Sequence, residues 1–129
     1  MSDNPNLALQ ARFAAAVMSG DFATLRELSH PDFLLEQGSG LPYAGTYHGV
    51  EGFIAFLGVF AETYDIERLE QVRNYHCDDP GRIVCEFEMR TVQRANGRRF
   101  DSSLLEVWYF RDGKVLGVKP HYFNSPLQS

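Results

Sequence analysis

The period of the apolar residues changes about halfway along the chain, and a fold built of one kind of element cannot absorb that change. Leu9, Phe13, Ala16 and Val17 recur at helical spacing and predict an amphipathic helix over about residues 6–18, closed by Ser19-Gly20. Asp21 then caps a short second helix whose Phe22, Leu25 and Leu28 face inward, and His30-Pro31 stops it. Phe33 to Glu36 reads as a short strand. From Val50 the series Phe53, Ile54, Leu57, Phe60, Ala61, Tyr64 follows the i, i+3, i+4, i+7 pattern and predicts a third helix. Beyond it the period becomes two: Ile83, Cys85, Phe87 and Met89 alternate with Val84, Glu86, Glu88 and Arg90. Asn96-Gly97 then marks a hairpin, a strand spans 100–110, Arg111 to Lys114 turns, and a last strand runs over 115–123. Helices first and strands after predict an α+β domain, cone-shaped, with three N-terminal helices packed on a curved β-sheet, mixed or antiparallel.

Strand 100–110 is apolar on both faces. Phe100, Leu104, Trp108 and Phe110 line one, while Leu105, Val107 and Tyr109 line the other. A sheet with one wet face alternates more cleanly. One face therefore closes over the helices, and the cover expected for the other is a second copy of the chain, a homodimer through the β-sheet. Residues 37–48 hold three glycines and a proline but also Leu41, Tyr43 and Tyr47, a loop with something to cover.

At 129 residues the chain has room for one full core, so a single domain over 1–129 is expected. The net charge of −5, with no basic run, argues against nucleic acid as a partner. No apolar stretch approaches the roughly 20 residues that span a bilayer, and Met1 to Pro5 lead into no export signal, so no membrane partner and a cytoplasmic location are expected. Cys77 and Cys85 flank an Asp-Asp-Pro-Gly turn signal and are read as two buried, reduced thiols filling space rather than a redox pair. His30, His48, His76 and His121 make no ligand set, and phosphate-loop, dinucleotide-fingerprint and serine-elbow motifs are absent. Neither metal nor cofactor is expected.

Three stretches, Leu41 to Phe53 (LPYAGTYHGVEGF), Phe110 to Val115 (FRDGKV) and Lys119 to Asn124 (KPHYFN), resemble the SnoaL-like family. That family belongs to the nuclear transport factor 2-like superfamily, with the ketosteroid isomerases, polyketide cyclases and limonene epoxide hydrolases. The resemblance covers residues 6–125 and implies a cavity between helices and sheet, used for catalysis, binding or assembly. Ketosteroid isomerases use a tyrosine on the first helix and a neutral late-strand aspartic acid as donors, with a second aspartate moving the proton. Carried over position by position, the tyrosine falls on Phe13, the proton-moving aspartate on Gln37, beside Glu36, and the late-strand acid on Glu106. One role of three is filled, which argues against ordinary ketosteroid isomerase chemistry. SnoaL-type polyketide cyclases need only one well-placed acid or base in an apolar cavity, and the resemblance implies that simpler requirement.

Glu106, on the face of Leu104 and Trp108, is the first candidate acid or base, since apolar neighbours disfavour its ionised form. The plainer alternative is a carboxylate paired with an Arg or Lys on an adjacent strand, or one at the rim. Glu36, at the strand end, and His121, which titrates near neutrality, are the other catalytic candidates. The turn decides His121: a two-residue Asp112-Gly113 turn puts it on the face of Glu106, whereas a three-residue turn puts Tyr122 there. Tyr43, Tyr47, Phe53, Phe56, Leu57, Leu104, Trp108 and Tyr122 are the expected walls and lid, though each could be plain core. His48 is expected to help cap the third helix, and Asp101 to make a solvated salt bridge with Arg98 or Arg99. The function expected is binding of a small hydrophobic, cyclic or polyketide-like molecule, with cofactor-free acid/base chemistry, or with none if the domain is a binding or dimerisation module.

Overall fold

The computed structural model describes residues 4–124; Met1 to Asp3, on which part of the export reading rests, lie outside the described residues. Asn4 accepts the N–H of Asn6 and Pro5 supplies a pre-set first turn, so helix α1 runs Pro5–Ser19 and ends on left-handed Gly20. Asp21 accepts the N–H and the hydroxyl of Thr24, which starts α2, Phe22–Leu28. Strand β1, Ser29–Gln37, begins four residues earlier and ends one residue later than the sequence suggests. His30-Pro31 ends the helix but does not exclude a strand, since proline costs an edge residue little.

Part of the expected loop pairs as a four-residue strand, β2, Gly45–His48. Helix α3, Gly49–Thr63, follows; His48 occupies its N-cap but makes no side-chain cap bond. The periodicity carried Tyr64 into this helix, whereas Tyr64 is the first residue of β3, Tyr64–Tyr75, and is almost wholly buried. Strands β4 (Arg82–Gln93), β5 (Arg99–Arg111) and β6 (Lys114–Tyr122) complete one sheet in the order β2-β1-β6-β5-β4-β3. Every pairing is antiparallel except β1 with β6. The architecture is the expected α+β cone of three helices on a mixed sheet.

The inner face of the sheet carries Ile83, Cys85, Phe87, Met89 and Thr91 from β4, opposite Trp108, Glu106, Leu104, Ser102 and Phe100 from β5. Phe13 of α1 plugs one end of this face. Its ring lies 5.9 Å from Phe33, 5.6 Å from Phe53 and 5.3 Å, edge-on, from Trp108, so three elements are pinned at one aromatic centre. Across the hairpin, Asp112 (φ 54°) and Gly113 (φ 72°) form a two-residue turn with both residues left-handed. Tyr109 pairs with Gly117 and Phe110 with Val115, so Leu116 is an extra residue bulged out of β6.

Candidate functional site

The bulge at Leu116 corrects the turn argument. The tight Asp112-Gly113 turn forms, yet the extra residue restores the other parity: Tyr122 stands opposite Leu104 on the inner face, and His121 stands opposite Leu105 on the outer one. His121 is exposed and lies at the rim of an open cleft of about 270 Å³ lined by Gly38, Gly40, Leu41 and Pro120 to Asn124. Glu36 is likewise exposed, because Phe33, Leu35 and Gln37 take the inner positions of β1 and period two sends Glu36 outward. Neither Glu36 nor His121 shares the inner face with Glu106.

Glu106 does lie on the inner face, between Cys85 of β4 and Pro120 of β6. Its Oε1 accepts the indole N–H of Trp108 at 3.1 Å. The residue keeps some accessible surface, but desolvation of the carboxyl among apolar neighbours dominates. Burial pushes its pKa up to about 7, with the Trp108 hydrogen bond pulling weakly the other way. Among the described residues no Arg or Lys forms an ion pair with it. The plainer reading of a paired carboxylate is thus set aside. Burial, with Glu106 nearby, also pushes the Cys85 thiol up to about 12, which holds it as a neutral, inert thiol. Cys77 is exposed, against the expectation of two buried thiols.

The expected walls divide into two groups. Phe53 belongs to the solid cluster around Phe13, with Trp108 between that cluster and Glu106. Tyr43, by contrast, anchors a second aromatic group: its ring packs edge-on against Phe56, Phe60, Tyr64 and Tyr122 at 5.3–6.2 Å. Tyr47 reinforces it, with its ring 5.0 Å from Phe56 and its hydroxyl donating to the Tyr43 carbonyl at 2.9 Å. Leu57 is half-buried against the core, and Leu104 is buried between Phe87 and Tyr122. Phe60, Tyr64 and Phe100 belong to the same group and were absent from the expected walls. Two of them, Phe60 and Tyr64, were read only as part of a helix face.

Gln37, on which the resemblance places the proton-moving aspartate, is a polar residue of the site that was not among the expected catalytic or binding residues. Only 8% of it is exposed, and its Oε1 and the hydroxyl of Tyr43 are buried beside the Tyr122 hydroxyl, whose acidity both affect by side-chain hydrogen bonding. Burial pushes the Tyr122 hydroxyl up to about 12, with side-chain hydrogen bonding to Tyr43 and Gln37 pulling the other way and the Glu106 charge adding to the rise. Gln37, Tyr43, Tyr122 and Glu106 therefore share one electrostatic neighbourhood. Continuing the Phe33, Leu35 alternation by one step was the signal that would have found Gln37. Elsewhere, Asp101 makes the expected exposed salt bridge, with Arg99 at 3.2 Å, and no three His, Cys, Asp or Glu side chains among the described residues gather as metal ligands.

A carboxyl poised near neutrality at the edge of an aromatic interior, on a cone of three helices and a mixed sheet, is the frame in which the sequence comparisons fall. The SnoaL-like domain profile matches residues 11–118, nearly the whole described fold. The chain belongs to the SnoaL-like family. Its fold is shared with solved nuclear transport factor 2-like proteins. One, of unknown function, from Burkholderia pseudomallei is 25% identical with a TM-score of 0.77, covering 95% of this chain and 92% of that one. Another from Burkholderia xenovorans is 23% identical, TM-score 0.79, with the same coverage. A candidate polyketide cyclase from Xanthomonas campestris is 20% identical, TM-score 0.75, covering 96% and 92%. No curated protein matches the sequence. No helix among the described residues of this SnoaL-like chain is long and apolar enough to cross a membrane.

Proposed function

We propose that this SnoaL-like protein binds a small hydrophobic, cyclic molecule between α3, the 38–44 loop and the inner face of the sheet, and that Glu106 moves a proton on it without a cofactor. The observation that carries this reading is the Glu106 carboxyl on a mostly apolar inner face, its pKa raised to about 7. A group with that pKa is present in both protonation states at neutral pH, which suits general acid/base work. Isomerase, cyclase or hydrolase chemistry would each be served by it. The candidate cyclase of the same fold is consistent with the cyclase member of that set.

The test is deuterium uptake from D2O into an enolisable bicyclic ketone, 2-tetralone, followed by NMR. The wild-type protein is expected to accelerate exchange above buffer, and Glu106→Gln to lower that acceleration by roughly 100-fold or more. Wild-type exchange no faster than buffer overturns the catalytic half of the proposal. A second reading, a binding module without chemistry, is favoured by the open cleft being walled by Gly38, Gly40, Leu41 and residues 120–124 rather than by Glu106 itself. Under that reading 2-tetralone shifts protein resonances near Tyr122 while its protons exchange at the buffer rate.

The outer face of the sheet supports a homodimer. Leu105 is 43% exposed there, flanked by half-buried Val84, Val107 and Tyr109, which share that face by the β4–β5 register. Apolar area of this kind on a sheet face suits a second copy of the same surface.

A further inference from the structure

Past the end of β6 the chain stays on the sheet. The Phe123 N–H donates to the Ser103 carbonyl at 3.0 Å, the Asn124 N–H to Ser102 Oγ at 2.9 Å, and the Asn124 amide to the Asp101 carbonyl at 2.8 Å. These bonds to three successive residues of β5 hold the backbone on either side of the Phe123 ring. Tyr122 turns inward, so Phe123, one position on, falls on the outer face with His121 and Leu105. Its ring is nevertheless 83% exposed, the highest value for a large apolar side chain among the described residues. An aromatic ring presented to water on an ordered backbone is an anchor, since burying it recovers apolar area at little entropic cost. Beside it lies the open cleft of about 270 Å³, which Phe123 lines but does not fill. Leu41 and Pro120 of its lining are buried, and a Cβ added at Gly38, on its wall, would meet nothing within 4 Å. A cavity of roughly 150 Å³ holds a benzene ring, so the cleft has room for a phenyl group. The charges of the outer face carry both signs: by register Arg73 lies against Glu86, Glu70 against Glu88, and Arg90 against Arg68 and Asp101. Two copies can meet there without the repulsion that a net charge of −5 would otherwise impose.

We propose that in the sheet-face dimer the Phe123 ring of each copy seats in the cleft of the other, so that the partner's Phe123 closes a site that one copy leaves open. A ring and a hollow side by side on one surface are self-complementary under a two-fold axis: each copy supplies the ring and receives one. The contact buries two rings per dimer against Leu41, Pro120 and the glycine wall, next to the apolar area around Leu105. This assignment rests on the dimer reading of the outer face and names the contact that anchors it.

The experiment measures the dimer dissociation constant of the full chain by sedimentation equilibrium. Phe123→Ala, at a side chain that touches little within one copy, is expected to weaken the dimer by about 30-fold or more. Gly38→Leu, which fills the cleft from its own wall, is expected to weaken it by about tenfold or more. The double variant is expected to be weaker than Phe123→Ala alone by no more than about threefold, because both changes remove one contact. Met18→Ala, at a side chain 61% exposed on α1, is expected to leave the constant unchanged. A dimer as tight in Phe123→Ala as in the wild type overturns the seating while the sheet-face dimer stands. Loss on Phe123→Ala with none on Gly38→Leu overturns it too, since the ring then lies elsewhere, as does full additivity in the double variant. So does 2-tetralone that shifts resonances near Tyr122 without weakening the dimer, because the cleft is then open in the assembly. A wild-type monomer at micromolar concentration overturns both the seating and the dimer.

Discussion

At the scale of single residues, Glu106 is caught between desolvation, which favours its neutral form, and the Trp108 N–H, which favours the charged one. Its folded-state pKa of about 7 lies above the ordinary 4.5, so between those values the folded chain holds a proton that the unfolded chain has released. Stability from this group is therefore full below pH 4.5, falls as pH rises toward 7, and stays at its reduced level above, a loss of up to about 3 kcal/mol. Glu106→Gln removes that slope: the variant's melting temperature, relative to wild type, is expected to be higher at pH 8 than at pH 5. An unchanged difference across that range counts against the buried carboxyl. Trp108→Phe removes the one interaction that lowers the pKa, so a carboxyl-carbon NMR titration is expected to show Glu106 titrating higher still. Glu106 was legible because the residues on either side of it in sequence and face are apolar over many positions. Gln37 and Glu36 were not resolved, since the glycines at 38 and 40 read as loop and the strand's last residue alone decides which side chain turns inward.

Among the elements, the least legible was β3. Its residues, from Asp65 to Arg73, are mostly charged or polar, and bulges at Glu67 and Val72 break the alternation twice. An edge strand exposed on most of its length has no buried face to impose a period on its sequence. The helices and β4 and β5 carried clear periods because each packs one face on the core. Strand β6 shows how a local irregularity outweighs a turn rule: the Leu116 bulge reverses the facing of every residue after it, which is why Tyr122 rather than His121 turns inward. The pairing just beyond that bulge is close, since a Cβ on Gly117 would come within 2.7 Å of the Leu34 carbonyl oxygen. Gly117→Ala is expected to cost about 1–3 kcal/mol by forcing β1 and β6 apart, read as a lowered midpoint in urea at unchanged slope. A variant as stable as wild type would show that the parallel pair has slack.

For the molecule as a whole, the cone leaves one sheet face inside and one outside, and both carry apolar side chains. If the outer face is the proposed homodimer contact, Leu105→Glu is expected to convert a dimer to a monomer by light scattering while leaving the Trp108 environment intact. A wild-type monomer at micromolar concentration defeats the dimer proposal directly. The sequence by itself determined the class of fold, the three helices, the central hairpin and the position of Glu106, since each follows from a period repeated over many residues or a turn dipeptide. Only the tertiary structure decided which of Glu36 and Gln37, and which of His121 and Tyr122, faces the interior, and that Gln37 and Tyr43 both come to the Tyr122 hydroxyl. Facing in a strand flips with every inserted residue, so one bulge or one added strand residue, invisible in composition and spacing, reverses the outcome.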